Sequence, residues 1–236
     1  MAVITVSGRL AGGAREVAQA VAREMKLDYV DQEILVEAAR QLGVSVEAVE
    51  SRDERASRLG DRLASMMRTL MERSAAAGAS DPMGGGGLEM VLARTYGEAA
   101  ELPSESERGQ LDDERYLKTL TSVIRGLATR GNVVILGRGS QAILQHEPGV
   151  LHTYVYAPRQ QRVETLVSQE GMERADAERR IKQSDQNREA FHRRYFKVDA
   201  DSPHLYDLTI QFGRIKTELA VKLIALAAEE RSPRPG

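Results

Sequence analysis

The stretch VITVSGRLAGGAREVAQAVAREM, Val3 to Met25, changes its hydrophobic period halfway along. Val3 to Val6 form a short β-branched run that reads as a buried strand. From Ala14 onward, Val17, Ala18, Val21, Ala22 and Met25 recur at helical spacing and give a helix from about residue 13 to 26. Gly8, Gly12 and Gly13 stand between the two. Strand, glycine loop and helix in direct succession open an α/β pattern.

That pattern returns along the chain. LDYVDQEIL is a short extended piece leading into a helix that ends near Gly43, and Leu117, Leu120, Val123, Ile124 and Leu127 mark another helix before a turn at Gly131 and Asn132. Val133 to Leu136 are four apolar residues bounded by turn signals, as in a parallel strand buried on both faces. VLHTYVYAP is a further strand, closed by Pro158, and YDLTIQF is the last. Residues 159–171 and 173–197 read as two helices, the second heavily charged. Ile215, Leu219, Leu223, Ile224 and Leu226 give a final helix, ahead of a disordered tail at 231–236. The expected fold is an α/β sheet with helices on both faces, in one domain over residues 1–230.

An insertion interrupts it at about 45–110. Ser45 caps a short helix, Leu59, Leu63, Met66, Met67 and Leu70 line a longer one, and Gly84 to Gly87 can only be loop or hinge. The methionine-rich stripe reads as core, with a dimer interface as the other reading.

Ligands of such sheets bind at the carboxyl ends of the strands, where both glycine segments fall, after Ser7 and at Gly137-Arg138-Gly139. A phosphate loop needs glycines so that backbone N–H groups can approach the anion, with the helix N-terminus adding its positive end. Laid on the usual G-x-x-x-x-G-K-[ST] motif, the chain has Ala14 in place of the lysine and Arg15 in place of the hydroxyl. A phosphate cradle and a packing turn are both open readings. Arg15 in the first helical turn faces either an anion or a carboxylate such as Glu16 or Asp31. Arg138 between glycines suits a bidentate grip on phosphate, against a solvated loop arginine. RIKQSDQNREAFHRRYFKV is either a solvated helix laced by ion pairs or a lid whose arginines close over phosphates.

Lys plus Arg number 33 against 35 Asp plus Glu, so no global field favours nucleic acid or a membrane surface. Cysteine is absent, which removes thiol nucleophiles and thiolate metal sites and fits a reducing cytoplasm. No apolar run approaches the ~20 residues of a membrane span. The four histidines lack metal-ligand spacing, and no ligand set for a metal can be read. A cytoplasmic protein with nucleotide partners is expected, with homodimerisation left open.

The segments ITVSGRLAGGAREVAQAVAREMKLDYVDQEIL, LATRGNVVILGRGSQAIL, VYAPRQQRVETLVSQEG, IKQSDQNREAFHRRYF and YDLTI together resemble the cytidylate kinase-like family, relatives of the P-loop nucleoside monophosphate kinases. The resemblance implies a P-loop NTPase fold: a five-stranded parallel sheet flanked by helices, an inserted region that binds the monophosphate, and a helical lid at about 173–200. It implies transfer of the ATP γ-phosphoryl group to a nucleoside monophosphate, CMP or dCMP by default, with Mg²⁺ bridging the donor phosphates. Gly8, Gly12, Gly13, Ala14, Arg15 and Glu16 fall on the family's Gly-Gly-Arg-Glu loop and would hold ATP, as would Arg193 and Arg194 from the lid. Asp31 and Arg138 would bind the acceptor; Arg15, Arg138, Asp185 and Arg188 would act in transfer. Cytidylate kinases themselves have Gly-Lys-Gly-Thr where this chain has Gly13 to Glu16, and Gly-Arg-Asp where it has Gly137 to Gly139. A nucleotide-binding regulatory module of the same fold is the alternative, and a kinase for another acceptor a third.

Overall fold

A computed structural model describes residues 2–53 and 113–231. The expected stripe at Leu59 to Leu70, the glycines Gly84 to Gly87 and nearly all of the tail lie outside the described residues, so the insertion is seen only as far as residue 53.

Strand β1 (Val3–Gly8) lies at the centre of a five-stranded sheet of order β2-β3-β1-β4-β5, with β2 at Asp28–Val30, β3 at Val133–Leu136, β4 at Val150–Tyr156 and β5 at Leu208–Gln211. Every pairing is parallel; Val3 faces Val133 on one side and Val150 on the other. Helices α1 (Ala14–Met25), α2 (Glu33–Leu42), α3 (Val46–Glu50), α4 (Asp113–Arg130) and the short α5 (Ser140–Ile143) precede β4. Helices α6 (Arg159–Glu170), α7 (Arg174–Tyr195) and α8 (Thr217–Arg231) follow it.

Side chains alternate across the strands, so one run of apolar residues feeds two cores. Val133 and Ile135 join Ile34, Leu35, Tyr116, Leu120 and Ile124 on the face of α2 to α4, while Val134 and Leu136 join Ile4, Val6, Val17, Val21 and Ile224 on the face of α1 and α8. This is the double coverage expected of β3. The local signals act as read: Gly43 ends α2 at φ 67, Ser45 Oγ accepts the Ala48 N–H at 3.3 Å, and Gly131 and Asn132 turn at φ 70 and 51.

Helix α8 forms where a final helix is expected, but the leucines that mark it do not face the core. It buries Ala220, Val221, Ile224 and Ala228, and leaves Leu219, Leu223 and Leu226 exposed. The facing surface of α1 is Ala14, Val17, Ala18, Val21 and Ala22. Small side chains on both helices allow close approach, so the alanine side of α8 seats better than its leucine side.

Helices α6 and α7 share a third core of Val163, Leu166, Ala177 and Ile181, against which Leu10 and Ala11 pack. The glycine loop therefore lies between the sheet and this hairpin.

Candidate active site

Gly8 ends β1 in register with Val155 of β4, and the chain turns through residues 9–13 into α1. Gly12 N–H donates to the Arg9 carbonyl at 3.0 Å, closing the loop. Gly13 is the N-cap at φ 87, a left-handed backbone, and a Cβ there would lie 2.2 Å from the Phe212 ring. No side chain caps α1, and its first helical bond runs from Val17 N–H to the Gly13 carbonyl at 3.0 Å. The N–H groups of Ala14, Arg15 and Glu16 thus point out of the helix end, with the positive end of its dipole. Glu16 itself turns aside, accepting from Thr217 Oγ1 at 2.6 Å.

On the β3 side, Asp31 joins both loops. Its Oδ2 accepts from Arg15 Nη2 at 2.6 Å and its Oδ1 from Arg138 Nη2 at 3.4 Å. Arg138 is fully buried and also bonds Asp53 through Nη1. Its backbone is left-handed at φ 60, between Gly137 at 71 and Gly139 at 68. A Cβ on Gly139 would lie 2.3 Å from the Phe196 ring, so glycine stands where cytidylate kinases have aspartate because neither the backbone nor Phe196 admits a side chain. The carboxylates that face Arg138 come instead from Asp31 and Asp53.

Arg15 therefore faces Asp31, the carboxylate alternative of the sequence reading. Its side chain is 52% exposed against 4% for Asp31. Half-exposed, Arg15 can swing from Asp31 toward a ligand.

On the other side, helix α7 is bound to the loop by a network of three arginines and three carboxylates. Arg188 donates from Nη1 to Asp201 at 2.7 Å and from Nη2 to Ser7 Oγ at 3.1 Å and the Ala200 carbonyl at 3.1 Å. Its guanidinium lies 5.5 Å from the Tyr154 ring centroid, a cation–π contact. Asp185 receives a bidentate pair from Arg162 at 2.9 and 2.7 Å, and Arg162 Nε donates to the Leu10 carbonyl at 2.7 Å. Arg9 reaches Asp185 at 3.0 Å, Glu189 at 3.2 Å and also Asp201. Burial would raise the Asp201 carboxyl, but the Arg9 hydrogen bond and the charge of Arg188 outweigh it and hold it below the usual carboxylate range. Burial, with Asp201 beside it, pushes the Tyr154 hydroxyl up to about 12. A cleft of about 410 Å³ opens here, lined by Arg9, Tyr154, Tyr156, Arg159, Arg162 and Asp201 among others.

The structure brings Gly8, Gly12, Gly13, Ala14, Arg15, Asp31 and Arg138 to the carboxyl edge of the sheet, with Asp185 and Arg188 against the loop from α7. It shows no contact of Arg193 or Arg194 with the loop: Arg193 is exposed, and Arg194 Nε donates to Asp113 at 2.7 Å. Arg9, Asp53, Arg162 and Asp201 were not singled out in the sequence. Arg9 sat inside the loop and could have been found; Asp53 and Asp201 lie in segments without a motif, and only the fold delivers them.

The uncapped α1 terminus and glycine loop fit a polyphosphate such as that of ATP. No dedicated metal site accompanies it: among the described residues no group of three or more acidic or histidine side chains could hold an ion. Nor is any helix among them long and apolar enough to cross a membrane.

The family model described as "Cytidylate kinase-like family" matches residues 3–214. No curated protein matches the chain significantly. Among solved structures, an uncharacterized protein from Eubacterium ventriosum aligns with a TM-score of 0.62 at 15% identity, covering 98% of this chain and all of that one (100%). Shikimate kinase from Bacteroides thetaiotaomicron aligns at a TM-score of 0.46 and 13% identity over 97% of this chain and 98% of its own. A gluconokinase from Sinorhizobium meliloti gives 0.46 and 13% over 97% and 94%. The first shares the fold; the two kinases align too loosely to add to it.

Proposed function

The chain belongs to the cytidylate kinase-like family and has its P-loop fold, a five-stranded parallel sheet flanked by helices, and from that premise we propose that it transfers the γ-phosphoryl group of ATP to a nucleoside monophosphate, CMP or dCMP, in the cytoplasm. The observation that carries this reading is the uncapped N-terminus of α1 at the end of the central strand, with Arg15 and Arg138 on one flank and Arg188 on the other. The N–H groups of Gly13 to Glu16 would hold donor phosphates. Arg15 would leave Asp31 and replace part of the missing lysine's charge. The buried Arg138 would exchange its longer pairing with Asp31, at 3.4 Å, for the acceptor phosphate, whose oxygen attacks the γ-phosphorus as the bond to the ADP oxygen breaks. Arg188 would neutralise charge developing on the transferring group, and Asp185 would keep Arg162 and Arg9 in place. Mg²⁺ would enter with the ATP phosphates and offset their charge.

A second reading draws on a specific observation: Arg9, Arg15, Arg138, Arg162 and Arg188 are each engaged by a carboxylate. A site so neutralised suits a nucleotide-binding regulatory module. Incubating the protein with ATP, Mg²⁺ and each common nucleoside monophosphate separates the two. Turnover with CMP or dCMP that falls roughly 100-fold or more in Arg188→Ala supports the kinase. Nucleotide binding by calorimetry without turnover on any acceptor overturns it in favour of the module.

A further inference from the structure

Leu219, Leu223 and Leu226 are the exposed large hydrophobic side chains among the described residues, at 48%, 37% and 61%. All three lie on α8. Their spacing of i, i+4 and i+7 sets them in one stripe along about 10 Å of helix. Single exposed apolar residues are ordinary, but a contiguous stripe that gathers all of them is not. The opposite side of α8 is already seated on α1 and the sheet through Ala220, Val221, Ile224 and Ala228, so the helix cannot turn its leucines inward without losing that packing.

Two exposed charges stand in line with the stripe, Lys216 seven residues before Leu223 and Glu230 seven after it, whereas Glu218, Lys222, Glu229 and Arg231 lie to its sides. We propose that α8 pairs antiparallel with α8 of a second copy of this chain, about a two-fold axis near Leu223. Leu219 then packs on Leu226 of the partner subunit, and Leu223 on Leu223 of the partner subunit. Lys216 comes opposite Glu230 of the partner subunit, and by symmetry the pair forms twice. A two-fold contact must be complementary to itself, and this stripe is: leucines balance about the axis while basic and acidic ends exchange. Parallel pairing would set Lys216 against its own copy and Glu230 against its own, so charge selects the antiparallel arrangement.

A seam of one helix is small beside the ~800 Å² per partner of stable interfaces, so the dimer forms at micromolar rather than nanomolar concentration. It would also brace the candidate site from behind, because α1 packs on α8 and Glu16 is bonded to Thr217.

Sedimentation velocity on the full chain from about 1 to 200 μM tests this, since an association in the micromolar range shifts from monomer to dimer across that span. The expected result is a rise in weight-average mass from monomer to dimer. Leu223→Glu should weaken association about tenfold or more, because it would place a carboxylate in the seam. Leu226→Lys at the most exposed position should do the same, and circular dichroism confirms that either variant is folded. Lys216→Glu should weaken the dimer, and Lys216→Glu combined with Glu230→Lys should restore it. A monomer at every concentration overturns the proposal, as does a dimer that survives Leu223→Glu and Leu226→Lys in folded protein.

Discussion

Arg138 shows how one residue can serve fold and site together. Its guanidinium is buried against Asp31 and Asp53, two carboxylates that are themselves buried. Removing one member of such a set strands the others, which costs about 3–5 kcal/mol, more than the pairs contribute when intact. Arg138→Ala is therefore expected to lower unfolding free energy by that amount in a denaturant titration, and an added Asp53→Asn should recover part of it. Loss of activity in Arg138→Ala counts as evidence for acceptor binding only when folded protein is compared. His152 is a second buried ionisable group, bonded to Thr5 Oγ1 at 2.8 Å between β1 and β4. Burial lowers its pKa from 6.5 to about 4. The unfolded chain then binds the extra proton first, so stability is full above about pH 6.5 and falls as pH drops toward 4, by roughly 2–3 kcal/mol. His152→Gln should flatten that part of the stability curve relative to the parent; an unchanged slope would assign it to carboxylates instead.

At the level of elements, the glycine loop is fixed by what packs against it. Phe212, just beyond β5, covers Gly13 and closes the space a Cβ would need. Gly13→Ala combines a left-handed backbone with that collision and is expected to cost about 1–3 kcal/mol and to weaken ATP binding in calorimetry. Phe212→Ala in the same chain should restore stability in part, since it removes the collision and leaves only the backbone term. The elements themselves were legible in the sequence wherever a buried face and a turn signal coincided, as at β1, α1 and β3. Helix α8 was legible as a helix but not in its buried side: its leucines are the more hydrophobic, but closeness to α1 rewarded alanine. The site was legible to the same degree. Glycines and arginines could be read from the two loops, and Asp31 stood among the carboxylates open to Arg15, whereas Asp53 and Asp201 could not be read, because they reach Arg138 and Arg188 across 85 and 13 residues of chain from segments without a motif.

For the molecule as a whole, the sheet, the glycine loop and the α6–α7 hairpin meet beside the α1 terminus. ATP at about 100 times its dissociation constant should stabilise the fold by ~2.7 kcal/mol if it binds only the native state. A thermal melt with and without ATP reads this directly, and an unmoved midpoint would argue against nucleotide binding. The central position of β1 has a consequence for synthesis. Both neighbours of this first strand come late in the chain: Val3 pairs with Val133 and Val150. At the ribosome's ~5–20 residues per second, an apolar strand is exposed for something like 6–30 seconds before any partner emerges. Until then β1 is a hydrophobic edge open to other chains. The same placement that puts the loop at the heart of the site makes the newborn chain dependent on chaperones or on the cover that α1 alone can give.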